Sequence, residues 1–132
     1  MKTYLPQLKG DVEIRTYLRG MYMGKTELSN ALLPNSRELI LRALGGDSEY
    51  LIDSIALYNG ETLLAQSPTT PSYPDSNTLK LTAIFSEDSF TGDFTRAVLQ
   101  NEEYGEFSEL IGFTLSKSEG EVLSIGWKLK SQ

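Results

Sequence analysis

Oxygen-bearing side chains concentrate in two predicted turns of this 132-residue chain, at residues 86–93 and 101–106. Both turns combine acids with Ser, Thr or Asn, and Ca²⁺ takes about six to eight oxygen ligands. Neither turn has the ligand spacing of an EF-hand loop, and an acidic turn is usually only solvated. Calcium binding is therefore the minor hypothesis for these turns, and no metal ligand is assigned.

Carboxylates also act in pairs in glycoside hydrolysis, where the acid needs a partly apolar setting that raises its pKa. Asp53 is the acid that lies inside an apolar segment, residues 50–58. No second acid lies in a comparable segment, and an acid near a strand end can simply accept hydrogen bonds from turn amides. The sequence favours that structural role for Asp53, and we expect no enzyme activity and no catalytic residue.

Other chemistry is limited by composition. The chain has no His and no Cys, which excludes Ser-His-Asp and Cys-His nucleophiles and zinc sites of the Cys/His kind. Its net charge is −6 and no basic stripe is visible, so nucleic acid is not an expected partner. No apolar run reaches the length of a membrane span, and residues 1–6 lack the apolar stretch of a secretory signal. We expect no cofactor, no membrane partner and folding in the cytoplasm.

Two methionines and a tyrosine lie together between Gly20 and Gly24, beside a predicted turn at Arg19-Gly20. Methionine adapts to irregular partner surfaces, so this segment is a candidate contact site. The alternative, which the sequence favours, is an ordinary hairpin end whose methionines face the core. Together with the N-terminal arm, the segment gives the predicted partner contacts, which are Tyr4, Leu5, Leu8, Met21, Tyr22 and Met23.

The aromatic residues suggest a second class of function. Trp127 alternates in step with Leu123, Ile125 and Leu129, which predicts a place in the core rather than a platform that stacks a sugar ring. A platform would have to come from the tyrosines at predicted turns, which are Tyr58, Tyr73 and Tyr104. The alternative hypothesis is therefore a carbohydrate- or small-ligand-binding β module.

One short α-helix is predicted near residues 35–44. Asn35 as N-cap places Glu38 at the third helical position, which resembles a capping box, and Ser36 is the alternative N-cap. Gly45-Gly46 supplies the left-handed residues that end a helix. At about three turns, this helix can cover one end of a sheet.

Period-two alternation predicts strands over most of the remaining chain. The predicted strands are residues 11–18, 21–28, 50–58, 62–66, 79–85, 94–100, 107–115 and 121–130. Asn59-Gly60 predicts a type I′ hairpin turn, because both of its positions favour positive φ. Three prolines within residues 67–77 exclude a central strand and favour an extended loop.

These elements predict a mainly β fold, an antiparallel β-sandwich of about seven or eight strands with the helix inserted. Residues 1–10 form a predicted N-terminal arm, and residues 11–132 form one domain.

Several segments occur in a distinctive order along the chain. They are residues 30–36 (Asn-Ala-Leu-Leu-Pro-Asn-Ser), the helix ending at Gly45-Gly46, residues 52–57 (Ile-Asp-Ser-Ile-Ala-Leu), residues 77–85, residues 92–99 and residues 123–129 (Leu-Ser-Ile-Gly-Trp-Lys-Leu). This order resembles that of small accessory structural proteins of tailed bacteriophage virions, of the capsid decoration, neck or tail-fibre attachment type. Arg96-Ala97-Val98-Leu99 stands where that group usually has Glu-Ala-Gly-Leu.

The resemblance implies a non-enzymatic structural protein of the virion. Such a protein assembles as a homo-oligomer, a trimer or a ring, on the capsid, neck or tail, and binds neighbouring virion proteins. No catalytic residue is implied by the resemblance.

Overall fold

The computed structural model describes residues 8–29, 31–32 and 36–131. The described part of the chain forms twelve strands, one α-helix and a single 3₁₀ turn at Ser48–Tyr50. In chain order the elements are β1 (Leu8–Leu18), β2 (Met21–Ser29), β3 (Ala31–Leu32), α1 (Ser36–Leu44), β4 (Ser54–Asn59), β5 (Thr62–Pro68), β6 (Thr70–Asp75), β7 (Thr78–Phe85), β8 (Gly92–Phe94), β9 (Arg96–Asn101), β10 (Gly105–Leu110), β11 (Leu115–Lys117) and β12 (Glu121–Ser131).

Two five-stranded antiparallel sheets make up the sandwich. Their strand orders are β2-β1-β12-β7-β6 and β3-β10-β9-β4-β5, and β11 and β8 form a two-stranded ribbon. The predicted mainly β antiparallel sandwich with one short helix is confirmed. The described part of the chain has twelve strands, four more than the eight predicted. β3 and β6 lie where no strand was predicted, β8 is separated from β9 at Thr95, and β11 follows the strand predicted over 107–115, which ends at Leu110.

The core lies between the two sheets. β12 runs through the middle of the first sheet, and its side chains at every second position, Leu123, Ile125, Trp127 and Leu129, are buried. Trp127 is fully buried there, as the alternation predicted. The other sheet contributes buried apolar groups of β4, β9 and β10, and the helix contributes Leu39. The apolar strand β4 lies between β9 and β5, in agreement with its predicted position inside the sheet.

The loop predicted over residues 67–77 is wrong: most of it is strand. β5 ends at Pro68, and β6 contains Pro71 and Pro74. Both strands lie at sheet edges, where a residue without an N–H group costs no ladder hydrogen bond. The prolines therefore excluded a central strand correctly, but they did not exclude an edge strand.

The two predicted hairpin turns had different outcomes. Arg19 and Gly20 have φ of 51° and 78° and connect β1 to β2, as predicted. The turn predicted at Asn59-Gly60 is wrong by one residue, because Asn59 pairs with Thr62 and the connection is Gly60-Glu61. Gly60 alone has positive φ there, at 60°, so the turn differs from the predicted type I′.

The helix ends as the glycine pair predicted. Gly46 has φ of 86°, its amide donates to the carbonyl of Ala43, and the amide of Asp47 donates to that of Arg42, which together make a Schellman motif. The predicted N-cap Asn35 lies outside the described residues. So do residues 1–7 of the predicted arm, whereas its last three residues already belong to β1, where Leu8 pairs with Ser131.

Candidate functional site

Three neighbouring apolar side chains project from the tip of the β1–β2 hairpin. Met21, Tyr22 and Met23 are 68%, 50% and 55% exposed, respectively. The sequence favoured core-facing methionines at this position, and that interpretation is wrong. A run of exposed large apolar groups of this kind is typical of a contact surface. We call these three residues the hairpin tip.

A β-bulge explains why neighbouring residues are exposed together. Thr16 pairs with Gly24 and Tyr17 pairs with Tyr22, so Met23 is an extra residue without a partner on β1. Gly24 has φ of 143°, which a glycine adopts without strain. The bulge interrupts the alternation of inward and outward side chains. An isolated glycine in a predicted strand is the signal that points to it.

Neighbouring side chains hold the tip tyrosine. The ring centroids of Tyr17 and Tyr22 are 5.7 Å apart, and the guanidinium carbon of Arg15 lies 6.0 Å from the Tyr22 ring. Arg15 is paired with the carboxylate of Glu13, and hydrogen bonding to Glu13 and Tyr17 raises the pKa of Arg15. Tyr17 and Arg15 were not among the predicted contact residues, since only the hairpin register brings them to the tip.

Glu13 is a buried carboxylate on β1 of this hairpin, opposite Glu27 on β2. Burial alone would raise the pKa of Glu13, but a hydrogen bond from Arg15 and the positive charges of Arg15, Lys128 and Lys80 outweigh it, so that pKa is lowered. Lys128 Nζ lies 3.9 Å from the second carboxylate oxygen. A groove of about 370 Å³ lies along the same strands, lined by Asp11, Val12, Glu13, Glu27, Leu28, Ser29 and Lys128. Its buried acid is ionised and paired, which is opposite to the raised pKa of a catalytic acid.

The first acidic turn is held by a buried lysine. Lys117 is only 1% exposed, and its ammonium group donates to the carbonyls of Glu87 at 3.0 Å and Phe90 at 2.8 Å. An ammonium group thus binds carbonyl oxygens of the loop that was considered for calcium. Within the described residues, no group of three or more His, Cys, Asp or Glu side chains is placed to hold a metal ion.

The second acidic turn is organised by two side chains. The amide nitrogen of buried Asn101 donates to the carbonyls of Glu49 and Leu51, at 2.6 and 2.7 Å. Asp53 immediately precedes β4, and its carboxylate accepts a hydrogen bond from the backbone amide of Glu102 at 3.0 Å. Asp53 is exposed, so its carboxyl group lacks the apolar setting of a catalytic acid, and its predicted role as an acceptor for a turn amide is confirmed.

The three candidate platform tyrosines, Tyr58, Tyr73 and Tyr104, have different neighbours and do not contact one another in a shared platform within the described part of the chain. Tyr104 stacks on Tyr50 with ring centroids 4.2 Å apart, and the Arg96 guanidinium carbon lies 5.1 Å from the Tyr58 ring. Each of these rings already has one face engaged. Tyr73 lies on the edge strand β6 and is 75% exposed.

The predicted contact residues are thus divided. The structure brings Met21, Tyr22 and Met23 together at one tip, places Leu8 at the far end of β1, and leaves Tyr4 and Leu5 outside the described residues. Sequence reasoning missed a further exposed apolar group on and after α1, formed by Leu41, Leu44 and Leu51. Within the described residues, no helix has the length and hydropathy needed to span a bilayer.

Comparisons with known proteins found no family, no curated protein and no solved structure that matches this chain.

Proposed function

We propose that this chain is a non-enzymatic structural protein of a tailed bacteriophage virion. It assembles as a homo-oligomer and binds neighbouring capsid, neck or tail proteins through protein–protein contacts. The observation that carries the proposal is the hairpin tip, where three adjacent large apolar side chains are exposed on a chain with a net charge of −6. Its setting in the virion is supported by the order of segments along the sequence.

The tip fits a role in assembly. Apolar groups that stay exposed on a folded domain cost solubility unless a partner covers them. The acidic surface keeps the free chain soluble before assembly. Methionine and tyrosine are enriched at interfaces, where they supply large contact area that adapts to the partner.

The test uses particles from a host that carries the gene. The wild-type chain is expected in purified particles by mass spectrometry, and a variant with Met21, Tyr22 and Met23 all changed to Ser is expected to fold normally but to be absent from them. The matched control changes Leu41, Leu44 and Leu51 to Ser, which removes three apolar groups of comparable exposure elsewhere. Absence of the wild-type chain from particles would refute the proposal, and loss of the control variant alone would place the contact at the helix instead.

A glycan array probed with the wild-type chain tests the alternative, a carbohydrate-binding module. We expect no binding.

A further inference from the structure

Within residues 8–29, 31–32 and 36–131, the two five-stranded sheets have four edge strands, which differ in how open they are to another chain. β6 contains Pro71 and Pro74, and β3 has two residues. β5 ends at Pro68 and its register with β4 is broken by a bulge. Prolines, bulges and short length all block edge-to-edge pairing. β2 has a bulge of its own at Met23, but beyond it β2 pairs with β1 over six successive residues, Gly24 to Ser29, against four on β5, Ala65 to Pro68. β2 also contains no proline.

The charges on β2 are ordered symmetrically about Thr26. Lys25 and Glu27 flank it, and both point to the outer face of the sheet, since they pair with Arg15 and Glu13 while the intervening Thr26 pairs with buried Ile14. If a second β2 lies antiparallel with Thr26 opposite Thr26, each Lys25 faces a Glu27 of the second copy. Opposite charges directly across a ladder stabilise it.

The same charges are badly placed within the monomer. Lys25 lies opposite Arg15 on β1, and Glu27 lies opposite Glu13, so that both cross-strand pairs bring like charges together. Like charges directly opposite destabilise a ladder. Each charge has a partner of opposite sign two residues along its own strand instead, such as Glu27 at 3.1 Å from Lys25. Stability of the hairpin therefore does not explain the order of charges on β2.

The remaining positions also fit this register. Gly24 falls opposite Leu28 of the second copy, so that the half-buried leucine meets a residue without a side chain. Met23 falls opposite Ser29, so that each hairpin tip runs alongside the end of the other β2. One association would thus cover part of the exposed tip.

We propose that two copies of this chain pair edge to edge through β2, antiparallel about a two-fold axis at Thr26, and join their five-stranded sheets into one. The proposal rests on the self-association in the proposed function and names its contact. A two-fold contact of this kind uses the same surface on both copies and closes at two subunits. It therefore gives a dimer in place of the trimer or ring expected from virion symmetry.

Charge reversal tests the register with the full chain. Sedimentation equilibrium is expected to give twice the 14.7 kDa of one chain for the wild type. Lys25→Glu and Glu27→Lys each place like charges at both contact points, which should raise the dimer dissociation constant at least about tenfold. Each substitution replaces a like-charge pair with β1 by an opposite-charge pair, but it also turns the Lys25–Glu27 pair on β2 into a like-charge pair. The two effects oppose each other, so thermal melts should show little net change in monomer stability.

Mixing the two variants gives the sharper result. A heterodimer of Lys25→Glu with Glu27→Lys has opposite charges at every contact. The mixture should therefore dimerise more tightly than either variant alone, and the double variant should dimerise about as tightly as the wild type. A monomeric wild type, a trimer or ring, or a dimer that neither substitution weakens would overturn the β2 contact. A trimer or ring, or an unweakened dimer, would leave the proposed function standing, and the particle experiment tests that function separately.

Discussion

Replacing Asn101 by Ala removes four hydrogen bonds at one buried point. The side chain is 3% exposed, its amide nitrogen donates to two carbonyls, and its oxygen accepts from the amides of Glu103 and Tyr104 at 3.1 and 2.8 Å. At about 1 kcal/mol for each bond, the substitution should lower the free energy of unfolding by roughly 3–4 kcal/mol. For a chain of this length the melting temperature should fall by roughly 10–15 °C.

The assay is urea denaturation followed by fluorescence of Trp127, the single and fully buried tryptophan. Asn59→Ala is the matched control, because Asn59 is exposed at a hairpin end, and it should change stability by less than about 0.5 kcal/mol. Asn101→Asp keeps the two acceptor bonds and loses the donors, so its cost should remain large. If Asn101→Ala costs less than about 1 kcal/mol, the hydrogen bonds do not join the turn to the 3₁₀ segment as argued.

Two further substitutions test buried charges. Glu13→Gln should cost about 1 kcal/mol at pH 7. Because the folded pKa of Glu13 is lowered, its contribution is complete above its ordinary value of 4.5 and is lost as pH falls through the folded pKa. The difference between wild type and variant in urea melts should therefore shrink below about pH 4.5, and a constant difference would contradict the charge argument. Lys117→Met leaves the carbonyls of Glu87 and Phe90 without their donor, so hydrogen exchange of residues 86–91 should accelerate roughly tenfold, whereas unchanged protection would show that the ammonium does not hold the loop.

Much of the fold follows from local patterns. The alternation in β12 and the glycine pair after α1 determine which side chains are buried and where the helix ends, because both act within a few residues. The break in the strand at Thr95 was not predictable in this way. The Thr95 amide donates to the carbonyl of Tyr58 at 2.8 Å, and its hydroxyl accepts from the amide of Gly60 at 2.9 Å. Thr95 therefore bonds to the end of β4 and the turn after it, about 35 residues earlier in the chain, and this interrupts the strand between β8 and β9.

The candidate site was predictable only in part. Composition identified Met21 to Met23 as a possible contact, but burial depends on the register of the hairpin. The bulge at Met23 and the position of β2 at a sheet edge are set by pairing across the whole sheet, since β12 occupies the other side of β1. The order of charges on β2 is visible in the sequence. That it would pair Lys25 with Glu27 of a second copy follows only once β2 is known to be an edge strand.

The charges on β2 also limit which pairing is possible. An exposed edge strand beside an apolar tip invites aggregation unless the sequence opposes it. Shifting the two-fold centre from Thr26 to Lys25 places Lys25 opposite Lys25, and shifting it to Glu27 places Glu27 opposite Glu27. A two-fold axis that lies between two neighbouring residues, such as Lys25 and Thr26, pairs residues from the outer face of one strand with residues from the inner face of the other. Among the antiparallel registers near Thr26, only the one centred on that residue therefore brings opposite charges together, so the same two side chains favour one dimer and oppose open-ended association.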